Sequence, residues 1–352
     1  MPTGETLVTE PKTRPRVAVL PAPGEEGRTR LEPVERVADV RVGTTAEEFA
    51  DALDGAEVVL VWDFRTTWLR DAWHRAGSLR WLHAASAGVD AVLLPEVVDS
   101  DCVVTNSRGV FDQPIAEHVL CTLLLFAKDM LESLALQREH RWQHRESETL
   151  AGRRLVIVGV GGIGRAVARL ARAVGMDVTG VGRSARDEDP DFAAVVGAGG
   201  LDAALAVAEF VVVATPLTPQ TRGLFDADRF ARLPVGARFV NVGRGALVDE
   251  QALVEALRSG QLGGAALDVF ATEPLPANSP LWDMRNVVVT PHMAGDFVGW
   301  RAALGALFAD NFARWMAGDP LRNLVDKRKG YVPAESGADD PSGGGPAAAD
   351  EN

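Results

Sequence analysis

The segment Gly159-Val160-Gly161-Gly162-Ile163-Gly164 has the residue types and spacing to hold a phosphate group. It follows an apolar, β-branched run at 155–158 and opens into a helical pattern from about Ile163 to Val174. In that setting the glycines have separate tasks: a tight turn, close backbone approach to a pyrophosphate, and close packing of helix on strand. The helix N-terminus then offers unpaired amides and a partial positive charge to the anion. A glycine-rich turn without a ligand is the alternative, but strand before and helix after are the context a dinucleotide fingerprint requires.

Further chemistry-bearing residues fall at the ends of other apolar runs. Thr215 ends one, Val242-Gly243-Arg244-Gly245 the next, Asp268 a third, and His292 follows the last. In open parallel sheets ligands sit outside the carboxyl ends of the strands, so these residues should share one crevice.

The elements that must position them alternate between short β-branched runs and helical patterns, which implies an α/β fold with parallel sheets. A first group of strands is expected at 16–20, 58–62, 79–83 and 102–105. A second group is expected at 154–158, 178–181, 210–214, 238–242, 265–269 and 287–290, enough for a Rossmann-type doubly wound sheet. Between the groups a helix starting near Pro114 is apolar almost all round, through Ile115, Val119, Leu120, Leu123, Leu124, Leu125 and Phe126. Such a helix needs cover on every side, from the two domains or from a second subunit. Another helix, roughly 300–316, allows the chain to return to the first domain. The expected division is a discontinuous substrate domain, 15–112 with 294–331, and a dinucleotide-binding domain, 113–293. Residues 1–14 and 333–352 read as flexible termini, the latter rich in Gly, Ala, Pro and acid.

Composition narrows the partners. Thirty-six basic residues against 49 acidic give a net charge of −13, which argues against a nucleic-acid or membrane-surface partner. No apolar stretch is long enough to span a bilayer, and the N-terminus lacks a secretory core. A cytoplasmic protein is expected. Two cysteines, Cys102 and Cys121, exclude a disulfide scaffold, and no residue grouping shows metal-ligand spacing.

With these segments in place, the chain resembles the D-isomer-specific 2-hydroxyacid dehydrogenase family, which includes glyoxylate/hydroxypyruvate reductases and phosphoglycerate dehydrogenases. The resemblance runs over roughly 55–331. It is carried by 86–90 (SAGVD), 104–109 (VTNSRG), 114–118 (PIAEH), 159–164, 214–221 (ATPLTPQT), 239–246 (FVNVGRGA), 267–274 (LDVFATEP) and 290–292 (TPH). It implies a flavodoxin-like substrate domain, a homodimer, and catalysis by Arg244, Glu273 and His292. A guanidinium suits a 2-oxo acid because its planar fork can hold the carboxylate and polarise the ketone. A histidine can deliver the proton that accompanies hydride transfer, and a carboxylate beside it favours the imidazolium. Read without the resemblance, the same three could be a surface arginine at a turn, a turn cap and a satisfied loop histidine. The resemblance also places the substrate carboxylate at Ala87 and Gly88, and the nicotinamide carboxamide at Asp268. It suggests that Trp142 edges the neighbouring subunit's site. With Gly295, Thr215, Val242, Gly243, Arg244 and His292, the glycine loop completes the expected cofactor contacts. A formate dehydrogenase would have glutamine where this chain has Glu273. A nicotinamide-sensing corepressor on the same fold remains the alternative from another functional class.

The cofactor itself is read from the end of the second strand of the dinucleotide unit. There NAD-preferring proteins place an acid, about 20 positions past the glycines, on the adenosine ribose. This chain has Gly182-Arg183-Ser184 instead, with Asp187, Glu188 and Asp189 expected farther out in the loop. Arg183 and Ser184 can supply a charge and a hydroxyl to a 2′-phosphate. NADP(H) is therefore expected to be preferred, with NAD(H) possible; the alternative has Arg183 merely packing on the adenine.

Overall fold

The computed structural model describes residues 14–22, 31–62 and 67–333. The two expected flexible termini lie almost wholly outside these residues. The described chain forms two sheets in which every strand pairing is parallel. The first contains β1 (Arg16–Leu20), β2 (Asp39–Val42), β3 (Val58–Val61), β4 (Trp81–Ala84) and β5 (Val103–Asn106), ordered β2-β1-β3-β4-β5. That is the flavodoxin-like order. The second contains β6 (Arg154–Val158), β7 (Asp177–Val181), β8 (Ala194–Val196), β9 (Phe210–Val213), β10 (Ala237–Asn241), β11 (Leu262–Leu267) and β12 (Val287–Val289). Its order, β12-β11-β10-β9-β6-β7-β8, is the Rossmann arrangement with one more strand at the β12 edge.

Two strands go beyond the sequence expectation, β2 and β8. Both are edge strands: β2 reads Asp-Val-Arg-Val and leaves its last two residues exposed, while β8 has three residues with one buried. An edge strand needs cover on fewer sides, so it does not announce itself as a continuous apolar run. The interior strands β3, β4 and β9 are buried along their whole length, as parallel strands covered on both faces must be.

The chain does return to the first sheet. In the helix Trp300–Ala317, Phe308 stacks on Trp81 of β4 with centroids 5.3 Å apart, flanked by Phe312 and Trp315. Beyond the helix, Leu324 bridges to Thr105, and the Val325 amide donates to the Val104 carbonyl at 2.8 Å. The helix Asp112–Ala127 belongs with the second sheet: Phe126 fills the space over Gly264 of β11, and Asp112 abuts Gly162. It is not covered all round. Ile115, Ala116, Val119 and Leu123 are buried, but Leu124 is 38% exposed and Leu120 and Leu125 are only partly covered. Within one chain, packing on the second sheet and on the helix after β6 therefore covers one side of this helix and leaves the other open. Among the described residues no helix is long and apolar enough to cross a membrane.

Candidate active site

β9 and β7 lie on opposite sides of β6, so the chain changes direction across the sheet at β6 and leaves a crevice beyond its carboxyl end. The glycine loop fills that position. Gly159 has φ +114° and lies so close to the backbone of Ala214 and Thr215 that no side chain fits. Gly164 packs against the Gly159 carbonyl and is likewise closed to a Cβ. Gly161, by contrast, faces open space at the N-terminus of the helix Gly162–Ala173. Gly243 approaches the Thr215 carbonyl, with 3.1 Å between that oxygen and where a Cβ would stand. The ends of β6, β9 and β10 thus converge, as the strand-end residues require.

Past β10, the Asn241 side chain accepts from the Gly243 amide at 3.0 Å and donates to the Arg244 carbonyl at 3.1 Å, fixing the turn that launches Arg244. The Arg244 guanidinium reaches the first sheet's side of the crevice. It donates to Asp90 at 3.0 Å and lies against Gly88, where a Cβ would collide with it. Gly88 sits in a turn held by the Ser86 hydroxyl on its carbonyl at 2.6 Å, and the Asn106 amide donates to the Ala87 carbonyl at 2.6 Å.

Facing Arg244 is a hydrogen-bonded histidine–glutamate pair. His292 Nδ1 and Glu273 Oε2 are 2.7 Å apart, with about a fifth of each side chain exposed. The other Glu273 oxygen accepts from the Phe270 amide at 3.0 Å. Burial alone would raise the Glu273 carboxyl, but the His292 and Phe270 hydrogen bonds and the charges of His292 and Arg244 hold it below its ordinary value. It stays ionised, and an ionised partner on Nδ1 fixes both ring orientation and tautomer. His292 occupies a left-handed conformation, φ +54°, which a non-glycine residue keeps only if its surroundings impose it. Asp268 imposes it. Its carbonyl takes the His292 amide at 2.8 Å, and its buried carboxylate accepts from the Thr290 hydroxyl at 2.6 Å and the amides of Met293 and Ala294 at 2.9 and 3.0 Å. Among the described residues, one acceptor position of Oδ2 remains. Gly295 packs against the Phe111 ring nearby.

Arg183 and Ser184 leave the end of β7 exposed. The acids after them do not all lie out in the loop as expected. Asp189 turns inward, 2% exposed, to pair with Arg165 at 2.8 Å and Arg186 at 3.3 Å. Its carboxyl is held below its usual value: burial opposes this, and Arg165, the Asp191 amide and Arg186 together outweigh it. An arginine-rich helix face draws the acid under the loop, which no spacing rule shows.

Sequence reasoning left Asp90, Asn241 and Asp112 without roles. Asp90 stands inside the 86–90 stretch, so its position was visible, but not that its partner would come from the other sheet. Of the remaining histidines, His83 is fully buried between Thr105 Oγ1 at 2.8 Å and Ser107 Oγ at 3.3 Å, a structural place as expected.

The open face at Gly161, with helix amides behind it, suits a dinucleotide's pyrophosphate. The comparisons with known proteins agree. The family model for the D-isomer-specific 2-hydroxyacid dehydrogenase NAD-binding domain matches residues 120–294. A glyoxylate reductase of Korarchaeum cryptofilum is 32% identical over 263 residues, 73% of this chain and 79% of its own length. A D-3-phosphoglycerate dehydrogenase of Methanocaldococcus jannaschii is 29% identical over 91% of this chain, which spans only 59% of that protein's length. Among solved structures, an NADPH-dependent glyoxylate/hydroxypyruvate reductase of Sinorhizobium meliloti, in complex with NADP and sulfate, superposes with a TM-score of 0.81. It is 34% identical, and the match covers 91% of this chain and 100% of that one. A D-isomer-specific 2-hydroxyacid dehydrogenase of Xanthobacter autotrophicus Py2, with NADPH and MES, matches with a TM-score of 0.76 at 36% identity, over 91% of this chain and 100% of its own. On sequence and structure alike, this chain belongs to the D-isomer-specific 2-hydroxyacid dehydrogenase family.

Proposed function

We propose that the chain interconverts a small 2-oxo acid and a D-2-hydroxy acid, with glyoxylate and hydroxypyruvate as favoured substrates. The observation that carries this is the 2.7 Å His292–Glu273 pair set opposite an arginine that closes on Gly88. When bound, the nicotinamide cofactor supplies the reducing equivalent. The chain's own residues do the rest. Arg244 holds the substrate carboxylate and polarises its ketone, with the small-residue turn at Ala87 and Gly88 admitting the anion. With Nδ1 committed to Glu273, His292 delivers a proton from Nε2 to the substrate oxygen, and takes one back in the reverse direction. Asp268 keeps His292 in place and offers its remaining acceptor to the carboxamide.

NADPH is the proposed preferred cofactor. Among the described residues no carboxylate pairs with Arg183, and Asp189 and Asp191 are taken up by Arg165 and Arg169. Two of the matched structures are complexes with NADPH or NADP, in line with this. We also assign 15–112 with 294–331 to a substrate domain and 113–293 to a cofactor domain, supported by the return of the 300–317 helix to Trp81. A homodimer would cover the open side of the 112–127 helix at Leu124, and Met130 and Leu134 on the helix Met130–Arg138 that follows, each about two-fifths exposed. Trp142, wholly exposed, would then reach the neighbouring site. Light scattering should give twice the chain mass, and a stable monomer at micromolar concentration would contradict the dimer.

The deciding experiment for the reaction is a panel of 2-oxo acids with NADPH and NADH, followed by nicotinamide absorbance. Turnover should be highest with glyoxylate or hydroxypyruvate and with NADPH. Cofactor binding without turnover of any 2-oxo acid would overturn the enzymatic reading, and better efficiency with NADH would overturn the cofactor preference.

A further inference from the structure

We propose that residues 326–331, beyond the last helix, form part of the adenosine end of the cofactor site, where Tyr331 holds Arg183 as a fixed and unneutralised receptor for a ribose 2′-phosphate. The inference rests on the NADPH reading of Arg183 and adds the residue that makes that arginine effective.

Tyr331 is the chain's single tyrosine. Its ring lies under the Arg183 guanidinium, 4.8 Å from the ring centroid to Cζ. The segment carrying it is anchored on the first sheet, whereas Arg183 follows β7 of the second. Lys327 is the main anchor: its ammonium donates to the carbonyls of Val97, Ser100 and Cys102 at 3.0, 2.5 and 3.0 Å. Asp326 then closes a tight turn. Its carboxylate accepts from the amides of Arg328 and Lys329 at 3.1 Å, its carbonyl from Gly330 at 2.8 Å, and its amide donates to the Tyr331 carbonyl at 3.1 Å. Gly330, at φ +77°, turns the chain where a Cβ would meet Leu93 at 3.9 Å and Thr218 at 4.0 Å, one from each side of the crevice. The hook therefore spans the crevice mouth and reaches the second sheet at Arg183.

The choice of partner matters. A carboxylate would fix a guanidinium by neutralising it and occupying its N–H fork. An aromatic face holds the cation through the ring quadrupole and leaves the in-plane N–H groups for another acceptor. Fixing the side chain before the ligand arrives reduces the ordering that binding must otherwise impose. Lys329 lies close enough for the Arg183 charge to act on its pKa, but its own charge is met by Asp326 at 2.8 Å, whose hydrogen bond and charge raise that pKa.

Calorimetric titration of the full chain with adenosine 2′,5′-bisphosphate and adenosine 5′-monophosphate tests the assignment. The readout is the ratio of the two dissociation constants. Tyr331→Leu, which keeps apolar bulk but loses the ring, should cut the preference for the bisphosphate by roughly fivefold, in the range of an exposed cation–π contact. Tyr331→Phe should retain the preference. Adding Tyr331→Leu to Arg183→Ala should cause no further loss. An unchanged ratio in Tyr331→Leu, a gain in bisphosphate affinity, or the same loss without Arg183 would each overturn the inference. An unchanged ratio in Arg183→Ala alone would instead remove the NADPH reading beneath it.

Discussion

The two sheets serve the crevice in different ways. The seven-stranded sheet supplies side chains: Arg244 after β10, Asp268 after β11 and His292 after β12. The five-stranded sheet supplies a turn with no side chain at Gly88 and one carboxylate beside it, Asp90, that steadies Arg244, while His83, Thr105 and Ser107 are hydrogen-bonded in the core. Chemistry requires functional groups at fixed points, whereas holding a small anion beside an arginine requires room. One sheet presents the three strand-end side chains; the other leaves room beside Arg244 and supplies the carboxylate that steadies it.

The largest expected effect tests the side-chain half of that contrast. His292→Ala removes the proton donor and should lower kcat roughly 10²- to 10⁴-fold, with cofactor binding little changed. Arg244→Lys should be severe too, because a point charge cannot reproduce bidentate recognition of a carboxylate. Near-normal steady-state kinetics in either variant would break the comparison at its first step.

The next effect tests the other half. Gly88→Ala places a methyl group where the Arg244 guanidinium lies. The arginine must then move, and a misplacement of about 1 Å in a positioned group can lower the rate on the order of 10²-fold. kcat/KM should fall by about that much while the melting temperature holds. Wild-type kinetics in this variant would show that Arg244 does not work from its seat against Gly88.

This contrast also explains what the sequence made legible. Glycines between a strand and a helix, and Arg244, Asp268 and His292 at strand ends, stand out because their positions are governed by local periodicity. Both sheets were readable for the same reason, apart from edge strands β2 and β8, as was the double winding of the second, whereas the flavodoxin-like winding of the first rested on the family resemblance. The Arg244–Asp90 pair, the inward turn of Asp189 and the Tyr331–Arg183 stack were not readable. They join residues 154, 24 and 148 positions apart, brought together only by packing of elements from different parts of the chain. The same limit applies to the Asp112–Ala127 helix, whose apolar circumference is plain in sequence while the side left open is decided by tertiary structure.

A smaller effect concerns the cofactor. Arg183→Ala should reduce efficiency with NADPH about tenfold more than with NADH, the scale of one charge-assisted contact to phosphate. Equal losses with both cofactors would mean that Arg183 packs on the adenine instead of reading the 2′-phosphate.

The last expected effect is on stability instead of rate, and it separates the sheets by pH. Burial pushes His83 from 6.5 down to about 3, so the native state keeps it neutral. An unfolded chain takes up a proton as pH drops below 6.5, while the native state does not until near 3. Stability from this site is therefore fully present above about pH 6.5 and declines as pH falls toward 3. The slope approaches 1.4 kcal/mol per pH unit, or about 2 kcal/mol between pH 8 and pH 5. In the second sheet, Glu273 and Asp189 are held below their ordinary values of 4.5 and 3.8, despite the opposing effect of burial, by His292 and Arg165 respectively. Their contributions are present above those ordinary values and are lost only as pH falls through the depressed ones. Denaturant midpoints measured from pH 8 to pH 5 should therefore report on the first sheet, and those below pH 4.5 increasingly on the second. His83→Gln should be less stable at pH 8 but show a flatter decline to pH 5 than the parent chain. An unchanged slope would mean that the buried imidazole does not set the acid response of its sheet.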